Sequence, residues 1–299
     1  MVTEQKKVFV TGASGQTGRH CLKYLQKQGE KIEISAGIYS EDQEKQSAAV
    51  KSHFPNVKIS AIDADDVNQC AEAFNGVSDL FIVPSATEAK VRHARNYIRA
   101  AKLAKVPFVL VLSMTGSEDR SHLFADQFND IEEEVKRQQL PGWCILRTNF
   151  YTQNLMLYKQ QISEGKLPLP IGDSGKFAPV DVDDVGEVAA SILTNCEQHK
   201  GKVYTITGSE LLSGTQMAEK LSKHLGTKLN WENIQPSAAR SIIRSQNVPY
   251  SETQGLLEFY DAAAHGKAQW VSDDFKKITN RDPNSLEDFC QRHAQELKS

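Results

Sequence analysis

Short apolar runs and amphipathic stretches take turns through the first half of the chain. Runs at 7–11, 32–38, 57–62, 79–83, 107–113 and 143–147 read as strands. Helical spacing of apolar positions lies between them, near 16–28, 41–53, 67–75, 88–105 and 123–139. Strand and helix in alternation predict a parallel sheet covered by helices on both faces. The runs DLFIVP and PFVLVLS are apolar without alternation. A strand buried on both sides has that pattern, and its crossovers are expected to be right-handed.

The pattern changes after about residue 152. A helix is expected from Leu155 to Ile162, followed by the Pro/Gly stretch EGKLPLPIGDSGK. FAPVDVDDVGEVAASIL then reads as a short strand and a helix, and KVYTITG as a further strand. From about 209 to 299 the spacing is helical, broken at Gly226, Pro236, Pro249 and Pro283. The expected organisation is a first domain over 1–152, with 177–208 returning to it, and a smaller region over 153–176 and 209–299. That region is expected to be mostly helical, to bind substrate and to lie over the carboxyl ends of the strands, where open α/β sheets place ligands.

The first strand runs straight into glycines in KVFVTGASGQTG, at Gly12, Gly15 and Gly18, and then into a helix. Gly12 permits the tight turn off the strand. Gly15 lets backbone approach a pyrophosphate, and Gly18 lets helix pack on strand. The first helical N–H groups point at the anion, backed by the helix dipole. Ser14, Gln16 and Thr17 offer polar contacts. The spacing is GxxGxxG, unlike the GxxxxGK[ST] of ATP-binding loops. In its strand–helix context it predicts a dinucleotide and a Rossmann-type, doubly wound α/β fold.

Composition narrows the field. The chain has 299 residues, 39% hydrophobic and 24% charged, as in an ordinary globular protein. A net charge of −3 gives no basic surplus for nucleic acid. No apolar run approaches membrane-spanning length, and MVTEQKK has no apolar signal core. Cys21, Cys70, Cys144, Cys196 and Cys290 are scattered, without CxxC or metal-type Cys/His spacing. They read as free thiols in a reducing cytoplasm, with no metal site. Asp181, Asp183 and Asp184 cluster, but within a strand-to-helix turn, where a structural cap is the expected role.

Over nearly its whole length the chain resembles the NmrA-like family of atypical short-chain dehydrogenases/reductases. The resemblance is carried by VTGASGQTGRH, AIDADD, LFIVPS, FVLVLSMTGS and LPGWCILRTNFYTQNL. FAPVDVDDVGEVAASIL and VYTITGSELLSGTQMAEKLSKHLG are the most diagnostic blocks. The compact C-terminal part looks most like the branch containing agroclavine-type ergot-alkaloid dehydrogenases. The resemblance implies NAD or NADP as cofactor. It places Asp63 and Ala64 against adenine, with a helix-capping role open to Asp65 or Asp66. It places Val83, Pro84 and Ser85 near the nicotinamide ribose, and Ser113 and Met114 in the cleft. It sets Arg147 to Tyr151, including Asn149 and Phe150, on the nicotinamide side. At the tip of the second strand, AGIYSEDQE lacks the arginine that many relatives carry near Ile38 or Tyr39. Tyr39 is available to stack on adenine and Ser40 to bond ribose. The missing arginine tilts the reading toward NAD, although the family leans to NADP and Arg19 offers a replacement cation.

Superfamily members use a tyrosine proton donor, a lysine four residues on and an orienting serine. Ser113 matches the serine. The stretch HLFADQFNDIE at 122–132 contains neither tyrosine nor lysine, and Phe128 stands about where reductases carry histidine or tyrosine. Tyr151, His122, Asp126 or water are the substitutes, and Ser113 and Tyr151 are taken as the catalytic candidates. Phe259, Tyr260 and Trp270 read equally as substrate contacts or as core. The preferred function is an NAD(P)H-dependent reductase of a small apolar, unsaturated, quinone or iminium-type substrate. The alternative is an NAD(P)-binding redox sensor without turnover, for which a homodimer or protein partner would be expected.

Overall fold

The structure, a computed structural model, describes residues 5–39 and 43–298. Two compact units divide the chain: Met1–Glu118, Ala125–Arg147 and Val185–Tyr204 form the first, and Asp119–Phe124, Thr148–Asp184 and Thr205–Ser299 the second. The return segment is thus narrower than 177–208, because 177–184 and 205–208 make most of their contacts in the second unit.

The chain opens with β1 (Lys6–Val10), β2 (Ile32–Tyr39), β3 (Lys58–Ile62), β4 (Asp79–Ile82), β5 (Phe108–Met114) and β6 (Trp143–Thr148). Two short strands, β7 (Lys166–Pro168) and β8 (Lys176–Phe177), precede β9 (Lys202–Ile206). The main sheet has the order β3-β2-β1-β4-β5-β6-β9 and is parallel. Helices α1 (Gln16–Gln26), α2 (Gln43–Lys51), α3 (Val67–Ala73), α4 (Lys90–Leu103) and α5 (Leu123–Arg137) make the crossovers. This is the doubly wound α/β fold expected from the alternation of strand and helix. β1 sits between β2 and β4, so the strand order reverses beside it. The carboxyl ends of β1 and β4 therefore flank the crevice in which such sheets bind ligands.

The first core explains the unalternating strand sequences. Phe108, Val109, Leu110 and Val111 of β5 are all fully enclosed, so successive side chains on opposite faces both meet helices. Phe9 packs edge-on to Phe74, with Tyr97 beside it. Asp66 ends the run before α3, where its carboxylate accepts the N–H groups of Asn68 and Gln69, so Asp66 rather than Asp65 is the cap.

The second unit departs from the expected helix at 155–162. Thr152–Tyr158 is a 3-10 turn, and only Lys159–Ser163 (α6) is α-helical. Tertiary packing of Leu155, Tyr158 and Ile162 into the second core sets that geometry. α7 (Val182–Thr194) begins at the acidic turn. β10 (Leu212–Ser213), α8 (Gly214–Leu225), β11 (Asn230–Glu232), α9 (Pro236–Ser245), α10 (Tyr250–Ala264), α11 (Asp274–Thr279) and α12 (Leu286–Leu297) complete the chain. β10 pairs antiparallel with β8, and β11 parallel with β7. Ser213 with Gln216, and Ser285 with Asp288, close reciprocal capping boxes on α8 and α12. Gly226 ends α8 in the left-handed region, at φ +67°.

Candidate functional site

The glycine loop joins β1 to α1 at the reversal of strand order. Gly12 has φ +58°, which a residue with a Cβ adopts only at a cost. A Cβ on Gly18 would lie 2.4 Å from the Gly12 carbonyl oxygen and 2.8 Å from Ala13 Cα, so this glycine is required by the protein's own packing. Gly15 is different. Its φ is −77°, open to any residue, and a Cβ there would meet one atom within 4 Å, the Gly12 oxygen at 3.3 Å. The fold thus asks less strictly for glycine at 15 than at 18, and the close backbone approach that glycine allows there suits a pyrophosphate. Gly15 is the N-cap of α1, with no side-chain cap and no acidic residue in the first turn. A bare, positively polarised helix end beside an open glycine is a fitting cradle for a pyrophosphate.

The neighbouring loops are tied to this cradle. Thr11 Oγ1 accepts the Val83 N–H at 2.9 Å, and Thr11 N–H donates to the Phe81 carbonyl. Val83 Cβ would lie 3.4 Å from a Cβ on Gly12, so the β1 and β4 loops are in close contact. Ser85 is buried and bonds Thr87 Oγ1 and His93 Nδ1. Tyr39 is half-buried, and that burial pushes the pKa of its hydroxyl up. The Tyr39 ring, expected to stack on adenine, lies 6.1 Å from the His93 ring. Asp63 is exposed and accepts the Asp65 N–H, while Ala64 is buried and its carbonyl accepts Asn96 Nδ2. Gln16 is exposed and Thr17 is buried at the start of α1. Ser40 lies outside the described residues. Pro84 and Met114 are half-buried at the ends of β4 and β5.

Sequence reasoning missed three residues here: Thr11, His93 and Gln46. Gln46 Oε1 accepts both Ser14 Oγ (3.0 Å) and the Tyr39 N–H (3.2 Å). Thr11 stands in the glycine motif without a role of its own there, Gln46 and His93 stand in none, and all three take their roles from segments that meet only in the folded sheet.

Ser113 is buried at the end of β5, and its hydroxyl donates to Glu132 Oε1 at 2.6 Å. Glu132 is fully buried and also accepts from Ser117 and, through two nitrogens, from Arg147. Burial alone would raise its pKa, but these donors outweigh it and hold the carboxyl below its ordinary range. The Ser113 proton is therefore committed to a carboxylate. With its proton so placed, Ser113 would meet a substrate as an acceptor. Phe128 is buried, with the Lys90 ammonium 4.9 Å from its ring centre.

In the second unit, Asn149 is 5% exposed; its Oδ1 accepts the Phe150 N–H, and its Nδ2 is buried without a hydrogen-bond partner. An unmatched buried donor is costly unless a ligand meets it. The Phe150 ring stacks on Phe259 (5.2 Å, 28°) and meets Phe177 edge-on at 5.1 Å. Its N–H and C=O are both used, by Asn149 and Val180. Phe150 thus packs within the second core through its ring. Phe259 and Tyr260 are core for the same reason, and Tyr260 bonds the Tyr158 hydroxyl at 3.1 Å. The Tyr151 hydroxyl accepts from Thr148 Oγ1 at 3.3 Å. His122 is 3.0 Å from Glu258. A cleft of about 210 Å³ opens between Pro170, Gly172, Ile234, Pro236, Leu257 and Asp261.

The acidic turn is a set of internal pairs. Asp181 accepts the Asp183 N–H as a cap and pairs with Arg292, and Asp184 pairs with Arg281. Among the described residues no group of three metal-ligating side chains converges, and no helix is long and apolar enough to cross a membrane. Burial drives the thiols of Cys70, Cys144 and Cys290 up to about 12, so they stay protonated.

Strand order, glycine cradle and bare helix end together define a doubly wound α/β protein with a Rossmann-type phosphate loop. The chain matches the NmrA-like family over residues 4–299 and belongs to it. It is 26% identical over 289 residues to an NAD(P)H azoreductase of Xenophilus azovorans, covering 96% of this chain and 98% of that protein. Its fold is shared with an NADPH-dependent quinone oxidoreductase of Escherichia coli complexed with NADPH (TM-score 0.83, 22% identity, 98% of this chain and 100% of the other). It is shared also with NmrA, a negative transcriptional regulator, in complex with NAD (TM-score 0.71, 17% identity, 97% and 95%).

Proposed function

We propose that this protein is an NAD(P)H-dependent reductase of a small apolar organic substrate of the quinone, enone or iminium type. One observation carries the dinucleotide part: Gly15 sits at a helix N-terminus without a side-chain cap, where a Cβ would meet only the Gly12 oxygen at 3.3 Å. The family membership and the azoreductase and quinone oxidoreductase relatives support the reductase part. A bound reduced nicotinamide supplies hydride. The chain would hold the pyrophosphate on the N–H groups after Gly15, and Asn149 Nδ2 would offer its unmatched proton to a ligand acceptor. Tyr151 is proposed as proton donor, and Ser113, fixed by Glu132, as a positioning residue. Substrates of this type need alignment more than a strong acid.

A second reading is a dinucleotide-binding regulator without turnover. The stretch 122–132 favours it, having neither tyrosine nor lysine and carrying a buried Phe128. Calorimetric titration with NADH, NADPH, NAD and NADP, followed by a panel of quinones, enones and iminium compounds, separates the two. Binding with substrate-dependent oxidation of the reduced cofactor supports the reductase. Binding with no turnover across the panel supports the regulator, and no binding of any dinucleotide refutes both.

A further inference from the structure

Gln46 holds the phosphate loop to the tip of β2, and the chemistry of that link dictates what can lie beside it. Its Oε1 accepts from Ser14 Oγ at 3.0 Å and from the Tyr39 backbone N–H at 3.2 Å. A backbone N–H can only donate, so the carbonyl side of the carboxamide must face Tyr39 and the amide cannot flip. The Ser14 proton then also points at Oε1. Ser14 Oγ is left with lone pairs only, and Gln46 Nε2 with protons only.

Ser14 lies inside the glycine loop, and Tyr39 ends the neighbouring strand. In a doubly wound dinucleotide site the adenosine ribose occupies the interval between phosphate loop and second strand tip. A ribose hydroxyl matches both groups there: it donates to Ser14 Oγ and accepts from Gln46 Nε2. A 2′-phosphate has acceptors alone. It can use the amide, but it sets its oxygens against the lone pairs of Ser14. Gln46 also brings no positive charge to pair with a phosphate dianion.

We propose that Ser14 and Gln46 form a hydroxyl-reading pair that selects NAD(H) over NADP(H), an inference that rests on the dinucleotide reading above. Gln46 is then the specificity-determining residue, and Ser14 its positioned partner. The competing cation is Arg19, whose Nε is buried without a hydrogen-bond partner. If Arg19 reads a 2′-phosphate instead, the preference reverses.

The test is the ratio of NADPH to NADH dissociation constants, measured calorimetrically on the full chain. The wild type is expected to favour NADH at least tenfold. Gln46→Lys frees the Ser14 proton and adds a cation, and should lower the ratio at least tenfold. Gln46→Glu keeps both accepted bonds and adds a negative charge, and should raise it. Ser14→Ala removes the opposing lone pairs and should lower the ratio several-fold even if Gln46→Lys fails to fold. Melting temperatures report folding separately, and a purely structural role for Gln46 would weaken both cofactors equally. A wild type that prefers NADPH, or a ratio constant within twofold across the folded variants, overturns the proposal while leaving the dinucleotide reading intact. A wild type that binds neither NADH nor NADPH overturns the proposal, and the dinucleotide reading falls with it only when NAD and NADP also fail to bind.

Discussion

One methyl group added at Gly18 and one branched side chain added at Gly15 should damage different properties. At Gly18 the new carbon would lie 2.4 Å from the Gly12 oxygen, 2.8 Å from Ala13 Cα and 3.0 Å from the Gly12 carbonyl carbon. All three are backbone atoms of a tight turn and cannot swing aside. Overpacking of this kind costs about 1–3 kcal/mol, and the helix propensity of Ala returns about 1 kcal/mol. Gly18→Ala should therefore lose about 1 kcal/mol and melt roughly 2–4 °C lower. Gly15→Val meets only the Gly12 oxygen, at 3.3 Å, with a backbone conformation open to any residue. Reduced chain entropy in the unfolded state and a poorer N-cap nearly cancel, leaving stability within about 1 kcal/mol. Its side chain fills the space assigned to the pyrophosphate. Losing one or two charge-assisted hydrogen bonds, at about 1.5–3 kcal/mol each, weakens binding by one to four orders of magnitude. Thermal melting and calorimetric titration with NADH and NADPH measure the two effects side by side. Wild-type affinity in Gly15→Val, or an unchanged melting temperature in Gly18→Ala, would refute the reasoning.

Glu132→Gln should cost about 3 kcal/mol in denaturant unfolding, because it leaves Arg147 short of its buried counter-charge. The carboxyl of Glu132 is held below its ordinary pKa, so its stabilisation is present above about pH 4.5 and disappears as pH falls through the folded value. The variant should accordingly have a shallower acid transition than wild type, and equal transitions would count against the network. Asp184 titrates in the opposite sense: burial, only partly offset by Arg281 and the Asn284 N–H, raises it to about 7. The folded chain then keeps a proton that the unfolded chain gives up, so stability declines as pH rises from about 4 to 7 and is flat above. Between pH 5 and pH 8 the wild type should lose about 2.5 kcal/mol more than Asp184→Asn, and parallel pH profiles would sink this reading. Tyr158→Phe or Tyr260→Phe alone leaves a buried hydroxyl unmatched at about 1–3 kcal/mol; the double variant should lose less than the sum, which a double-mutant cycle reads directly.

The order of strands and helices in the first half was legible because each element there carries its own signal. β5 is apolar at every position since helices cover both its faces, and the loop at 12–18 announces itself by spacing and by the strand before it. Family membership was legible for a similar reason, since the blocks that carry it are contiguous. The paired strands β7, β10 and β11 were not, because two or three residues hold no period, and β8 takes up only Phe177 of the short strand expected in FAPVDV. Nor was the 3-10 turn at Thr152–Tyr158, where core packing overrides a helical spacing. At the site, the sequence already contained the cradle, but only the fold separated the three glycines into one fixed by conformation, one by contact and one left open for a ligand. Ser113 matched the orienting serine by position, but that its proton goes to Glu132, nineteen residues on, is visible only in the fold. Gln46 carried no signal at all, because its meaning comes from Ser14, thirty-two residues away, and a backbone N–H at the end of another strand. Local patterns set which elements form and in what order. Hydrogen-bond direction and burial depend on atoms that the folded sheet brings together, and those alone decided which polar groups remain available for chemistry.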